Sequence, residues 1–272
     1  MTERLTTLAA VKEWLEIPEA TTTADALLTR LITAASLFVL NWLNRDSFQK
    51  TTYTENFRGN GKTATLLKNF PILSVSQVGV AGQAIPPAQI GNVGMPSNGY
   101  TISDERASQQ AVDLFGYEFC WRAPCQVIYS AGYEATDTST LSAPVDPATW
   151  IIYAPTADGQ WSCDQGVTLN GVVQTLSATN DPPVGSYYVD MWGNYSFNAA
   201  AAGEVAVISY SYTPYDVSWA CTELVGEFYR RQERIGLLSK TLGGQETVSF
   251  DQKDMSASVK MVLQPFVNVV PI

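Results

Sequence analysis

The sequence predicts an α+β fold: a small helical bundle formed by N- and C-terminal helices, with two inserted antiparallel β-modules. Three observations predict it. Apolar residues recur at helical spacing near both ends. The middle switches to a period of two, with Gly and Pro between its runs. That middle also holds two runs of similar order. Apolar residues are 46% of the 272, enough to bury a core.

Leu8, Val11 and Leu15, with Trp14 beside them, predict a short helix over 6–16 that Thr6 or Thr7 caps and Pro18 ends. A second helix is expected over 24–44. Its stripe is Leu27, Leu28, Leu31, Ile32, Ala35, Phe38, Val39 and Trp42, and Thr22 with Asp25 resembles a capping box. Residues 51–57 and 63–67 are expected to pair as a hairpin around 58–62. A third helix, over 216–235, has Asp216 as its cap and an apolar face that includes Leu224 and Phe228. An irregular arm with a strand over 246–250 follows, then a last helix over 256–264. Helices this short and one-sided do not persist alone in water, so front and back are expected to share one seam.

The middle reads as duplicated. Gly99–Ile102, Leu114–Phe119 and Val127–Glu134 are answered by Ser186–Val189, Met191–Phe197 and Val207–Tyr212. Val78–Gly82 is answered by Val167–Gly171. Two related β-modules follow, roughly 72–134 and 150–213, joined by a Ser/Thr/Pro/Asp linker at 135–149. As domains, 1–50 with 214–272 form the helical part with its arm, 51–134 the first β-module and 135–213 the second, an insertion.

Formal charge is -10, and between Arg122 and Arg230 there is no Lys or Arg. That acidic stretch argues against gripping phosphates and suits a surface past which DNA slides. The chain has no histidine, and its four cysteines form no CxxC pair. Zinc sets and His-dependent triads are therefore excluded, and no cofactor is expected. Gly61-Lys62-Thr63 mimics a phosphate loop, but Asn56 stands where the first Gly belongs and a strand pattern follows. Trp150, Trp161 and Trp192 suggest an alternative: a tail or capsid-decoration protein whose β-modules bind host glycan. No apolar run reaches the roughly 18–20 residues that cross a bilayer, so no membrane partner is expected. The opening Met-Thr-Glu-Arg runs straight into a helix, which predicts folding in a cytoplasm.

Thr7–Leu15 followed by Ala26–Ser36, with the turn Asn41–Asp46, resembles the opening of the head–tail connector (adaptor) proteins of tailed bacteriophages. Glu223–Gly236 and Ser239–Phe250 resemble that family's third helix and the segment after it. The resemblance covers about 1–80 and 215–272 and implies a structural role, not an enzyme. It implies a ring of twelve copies between portal protein and tail or tail-completion protein. DNA would pass through the lumen without specific binding, in a virion component made in the bacterial cytoplasm. Helical core and subunit packing would fall to Leu27, Leu31, Phe38, Trp42, Leu224 and Phe228. An apolar arm within 237–272 would dock on the portal through Val262, Leu263, Phe266, Val269, Val270 and Ile272. The enlarged β insertion departs from the family's small one.

Overall fold

The computed structural model describes residues 3–89, 96–103, 110–141, 151–153, 159–231, 239–242, 246–249 and 255–268. The elements begin with α1 (Leu8–Trp14), α2 (Asp25–Trp42), β1 (Thr51–Arg58), β2 (Ala64–Leu66), β3 (Ile72–Val80) and β4 (Gln83–Ile85). Next come β5 (Gly99–Ile102), β6 (Ala111–Phe115), β7 (Pro124–Ala131), β8 (Glu134–Thr140), β9 (Ile151–Tyr153) and β10 (Gln160–Leu169). Then follow β11 (Val172–Val173), β12 (Thr175–Leu176), β13 (Ser186–Val189), β14 (Tyr195–Phe197) and β15 (Val205–Thr213). The chain ends with α3 (Tyr215–Arg231), β16 (Ser239–Leu242), β17 (Glu246–Ser249) and α4 (Ala257–Leu263). The fold is thus mixed α and β. It divides into a unit of Met1–Asn44 with Thr213–Val267, and a unit of Arg45–Tyr212 with Asn268–Ile272.

In the helical unit, α1 has only seven residues and needs tertiary support. Thr7 caps it by accepting from the Ala10 amide. The capping box expected at α2 is not formed: its N-cap is Ala24, which makes no side-chain bond. Asp25 turns instead to Lys12, whose Nζ lies 2.6 Å from its Oδ1 and donates to the Glu19 carbonyl at 3.1 Å. That ion pair ties α1 to the start of α2. The buried side of α2 is Leu28, Ile32, Ala35, Ser36, Val39 and Leu40. α3 starts at Tyr215, with Asp216 inside its first turn, and buries Val217, Ala220, Cys221, Leu224 and Val225. α4, capped by Ser256, buries Val259 and Leu263.

The β unit is two copies of one module. β1-β7-β3-β4 form one sheet and β2-β6-β5 another. In the second half β8-β15-β10-β11 and β9-β14-β13 repeat those orders strand for strand. β1 pairs antiparallel with β7 from Thr51↔Ala131 to Arg58↔Pro124, and β8 with β15 from Glu134↔Ser211 to Thr140↔Val205. Side chains repeat too. Tyr129 Oη donates to Glu55, and at the matching place Tyr210 Oη donates to Asp137 at 3.0 Å. Both β3–β4 and β10–β11 turn through two residues of positive φ, Ala81-Gly82 (52° and 83°) and Asn170-Gly171 (47° and 81°). Such turns match the right-handed twist of the flanking strands. β12, parallel to β13, is an addition to the second module. Each module has its own core: Val78, Val112, Phe119 and Val127 in the first, Val167, Tyr195, Phe197 and Ile208 in the second.

Two expectations are corrected. β2 pairs with β6, not with β1, because the amides of Gly59 and Gly61 bond across to Ala123 and Phe119 and lead the chain away. Residues 135–140 are not linker but most of β8, the first strand of the second module. The remainder of that expected linker, 142–149, lies outside the described residues.

Candidate assembly surfaces

The helical unit is closed by a few long-range contacts. The Leu5 amide donates to Ser36 Oγ at 3.0 Å, and the Thr6 and Thr222 hydroxyls meet at 2.6 Å. Trp14 meets Trp219 edge to face at 6.1 Å, and Phe38 meets Phe228 at 6.3 Å. Gly226 lets Trp14 lie on α3, since a Cβ there would sit 2.9 Å from the indole nitrogen. Ser256 and Ser258 both donate to Glu223, fastening α4 to α3.

These contacts divide the predicted packing residues. Leu224 is fully buried, while Leu31, Phe38, Trp42 and Phe228 are half-buried and Leu27 is 39% exposed. They lie beside the core stripe of α2, not on it. In the expected docking arm, Leu263 is fully buried within its own unit, and Val262 and Phe266 are half-buried. Val269, Val270 and Ile272 fall outside the described residues.

In the second β-module, Asp164 accepts from Tyr187 Oη at 2.5 Å and Tyr195 Oη at 3.0 Å. Trp161 donates to Tyr195 Oη at 3.2 Å and covers Gly193, where a Cβ would meet its ring at 2.4 Å. Desolvation first, then the Asp164 carboxylate, raises the pKa of Tyr187 well above the usual phenol range. Burial does the same to Tyr195. Both phenols are fixed hydrogen donors, and Asp164 is taken up structurally. Trp161 is occupied in this cluster, Trp192 is 50% exposed at a turn that Asp190 caps, and Trp150 lies outside the described residues.

Gly61-Lys62-Thr63 runs into strand β2 and not into a helix, so amides and dipole do not converge on a phosphate. Among the described residues no group of His, Cys, Asp and Glu is placed to hold a metal, and no helix is long and apolar enough to cross a membrane. An open groove over β1, β3 and β7 is lined by Asn56, Gln77, Gln83, Gln126 and Arg58, with no acid–base pair.

The loops of residues 59–62 and 119–123 were not recognised from the sequence as one surface. They carry Lys62, Trp121 and Arg122, with Arg58 at their base, and Trp121 is 70% exposed. The only signal available was a Trp-Arg pair beside a turn.

No curated protein matches the chain. Residues 4–119, from before α1 through the loop that follows β6, match the family model described as head completion protein. Over that stretch the chain is therefore similar to a structural family of phage proteins, consistent with head–tail connectors and pointing to a head-completion or connector role.

Proposed function

We propose that the chain is a structural head–tail connector subunit that closes a ring, of twelve copies as the resemblance implies, between portal and tail. The observation that carries this reading is the second apolar stripe of α2. Leu27, Leu31, Phe38 and Trp42 recur at helical spacing, yet their own unit leaves them exposed or half-buried. Side-by-side packing of copies would cover them. Each large side chain fully covered contributes about 1.5–3 kcal/mol, so covering this stripe supplies part of the driving force that offsets the entropy of association.

DNA passes through the lumen without specific binding. Support comes from residues 123–212, which hold eight acids and no base. The portal-docking arm reduces to Phe266 and the segment after it, because Leu263 is used inside its own unit. The second β-module is an insertion that supplies contact surface to a tail or tail-completion protein.

Negative-stain images of the purified protein, alone and with portal, test the reading. Closed rings are expected, and a monomer under both conditions ends it. Deleting 265–272 should block head–tail joining while helicity stays intact; normal virion assembly by that variant removes the arm from the account.

A further inference from the structure

The β unit carries opposite charge on two equivalent tips. In the first module the two loops at the far end of β1 and β7 clasp each other. Gly59 N donates to Ala123 O and Arg122 N to Gly59 O, both at 2.9 Å, and Gly61 N to Phe119 O at 2.7 Å. Arg58 Nη1 donates to Arg122 O at 3.1 Å. A Cβ on Gly59 would stand 2.1 Å from the Cys120 carbonyl, so the clasp is tight. It presents Trp121, with the Arg122 guanidinium 5.8 Å from its ring centroid, among Arg58 and Lys62. None of these three cations forms an ion pair with a described residue. The nearest acids along the chain are Glu55, three residues before Arg58 and half-buried, and Glu118, four before Arg122 and exposed.

The second module repeats the clasp with different side chains. Leu141 N donates to Glu204 O and Gly203 N to Leu141 O, both at 2.9 Å. Glu204 thus stands where the first module has Ala123, beside Gly203 in place of Arg122. Asn198 Nδ2 donates to Pro182 O at 3.0 Å, and Glu204 N closes a turn on Ala201 O at 3.1 Å, so the loop that carries Asp181 packs on the loop that leads into Glu204. Val205, next to Glu204, is 39% exposed, Val172, in the turn beside it, 64%, and Val184, on the loop that carries Asp181, 76%. The Asn170 amide bonds to Val205 O, which sets the β10–β11 turn alongside.

We propose that the cationic Trp121 tip of one copy docks on the valine-floored acidic tip of a second copy. This deepens the connector reading and rests on its ring. The charges are complementary, and an aromatic ring ringed by Arg and Lys meets an apolar floor rimmed by Asp and Glu. No described hydrogen bond or ion pair joins the two tips within one chain. The modules meet at the opposite ends of their ladders, where Lys50 pairs with Glu134 at 2.7 Å and its amide donates to Ser211 Oγ at 3.0 Å. Seven residue steps of about 3.4 Å put the cationic tip roughly 24 Å from that join. A surface matched to a different surface makes a heterologous contact, which closes a ring when the rotation allows. A second copy is favoured over nucleic acid because the chain's charge of -10 repels phosphates, and three cations make a small footprint.

The experiment is sedimentation of the full chain at about 50 mM and about 500 mM NaCl. Wild type is expected to associate more weakly at the higher salt. The triple variant R58E/K62E/R122E should associate about tenfold or more weakly, with an unchanged circular dichroism spectrum. D181K/E204K should fail in the same way. Mixing the two variants should restore assembly, because each then offers the other a tip of opposite sign; that rescue excludes simple misfolding. Rings formed by R58E/K62E/R122E as readily as by wild type overturn this contact and leave the connector reading intact. A wild type that never associates overturns both. Salt-sensitive binding of a duplex DNA oligonucleotide, lost in R58E/K62E/R122E while association persists, assigns the tip to nucleic acid and overturns the proposal.

Discussion

Cys221 lies fully buried between α3 and α2, 3.7 Å from Ser36 Oγ. Burial pushes its thiol up to about 12 from 9.0, against a smaller lowering by the Ser36 hydrogen bond. Burial also raises the phenols of Tyr129, Tyr187 and Tyr195 far above 10.0. In each case the unfolded chain loses the proton first. The native state then holds more protons, and stability falls as pH rises. The urea midpoint should therefore stay flat on this account below about pH 9 and decline above it. Cys125, also buried and raised from 9.0, contributes to the same decline, so in Cys221→Ala the fall between about pH 9 and 10 should become shallower; an unchanged slope there refutes the assignment. Gly59→Ala tests the clasp at the same scale. Its Cβ would meet two backbone carbonyls at 2.1 and 2.5 Å, atoms that cannot swing aside. Overpacking of this kind costs about 1–3 kcal/mol or more, measurable as a lower midpoint in chemical denaturation.

Among the elements, α2 shows best what periodicity tells and what it does not. Its expected span, 24–44, lies close to the observed Asp25–Trp42. The mixture of Leu27 and Leu28 in one stripe did not reveal which faces the core. Leu28 is fully buried and Leu27 is 39% exposed, because the helix is apolar around much more than half its circumference. Leu28→Ala should cost about 2–5 kcal/mol. Leu27→Ala should move stability by less than about 1 kcal/mol and weaken assembly instead. Equal losses of stability in the two variants, read by urea denaturation, would merge the stripes. β8 was illegible for a different reason. It is an edge strand of Thr, Ser, Asp and Glu with only Ala135 buried, so its composition matches a linker and its pairing is set by β15. The Trp121 tip was hidden likewise. Residues 58–62 and 119–123 are remote in sequence and meet only because β1 pairs with β7 and not with β2.

For the whole molecule, the arrangement of units predicts which pieces fold. The helical unit is assembled from both ends of the chain, whereas the β unit is the continuous stretch Arg45–Tyr212 joined by residues 268–272, of which Asn268 donates to Asn69 Oδ1 at 3.2 Å. The two ends of that continuous stretch lie together, as the 3.0 Å bond from the Lys50 amide to Ser211 Oγ shows. An inserted unit with adjoining ends leaves its host chain free to continue where it left off. Each β-module has its own buried cluster, with Tyr129 and Tyr210 fully enclosed at matching places. Residues 45–212 expressed alone should therefore give dispersed amide resonances and one cooperative thermal transition. Residues 3–44 alone should not. α1 is too short to persist, and Leu28, Ile32 and Val39 would lose the face that α3 offers. Joining 3–44 to 213–268 through a short Gly/Ser segment should restore helicity to the first piece. If 45–212 were unfolded alone while the joined helical pieces were also unfolded, the two units would be one cooperative body, and the β insertion would be part of the core that holds the helices.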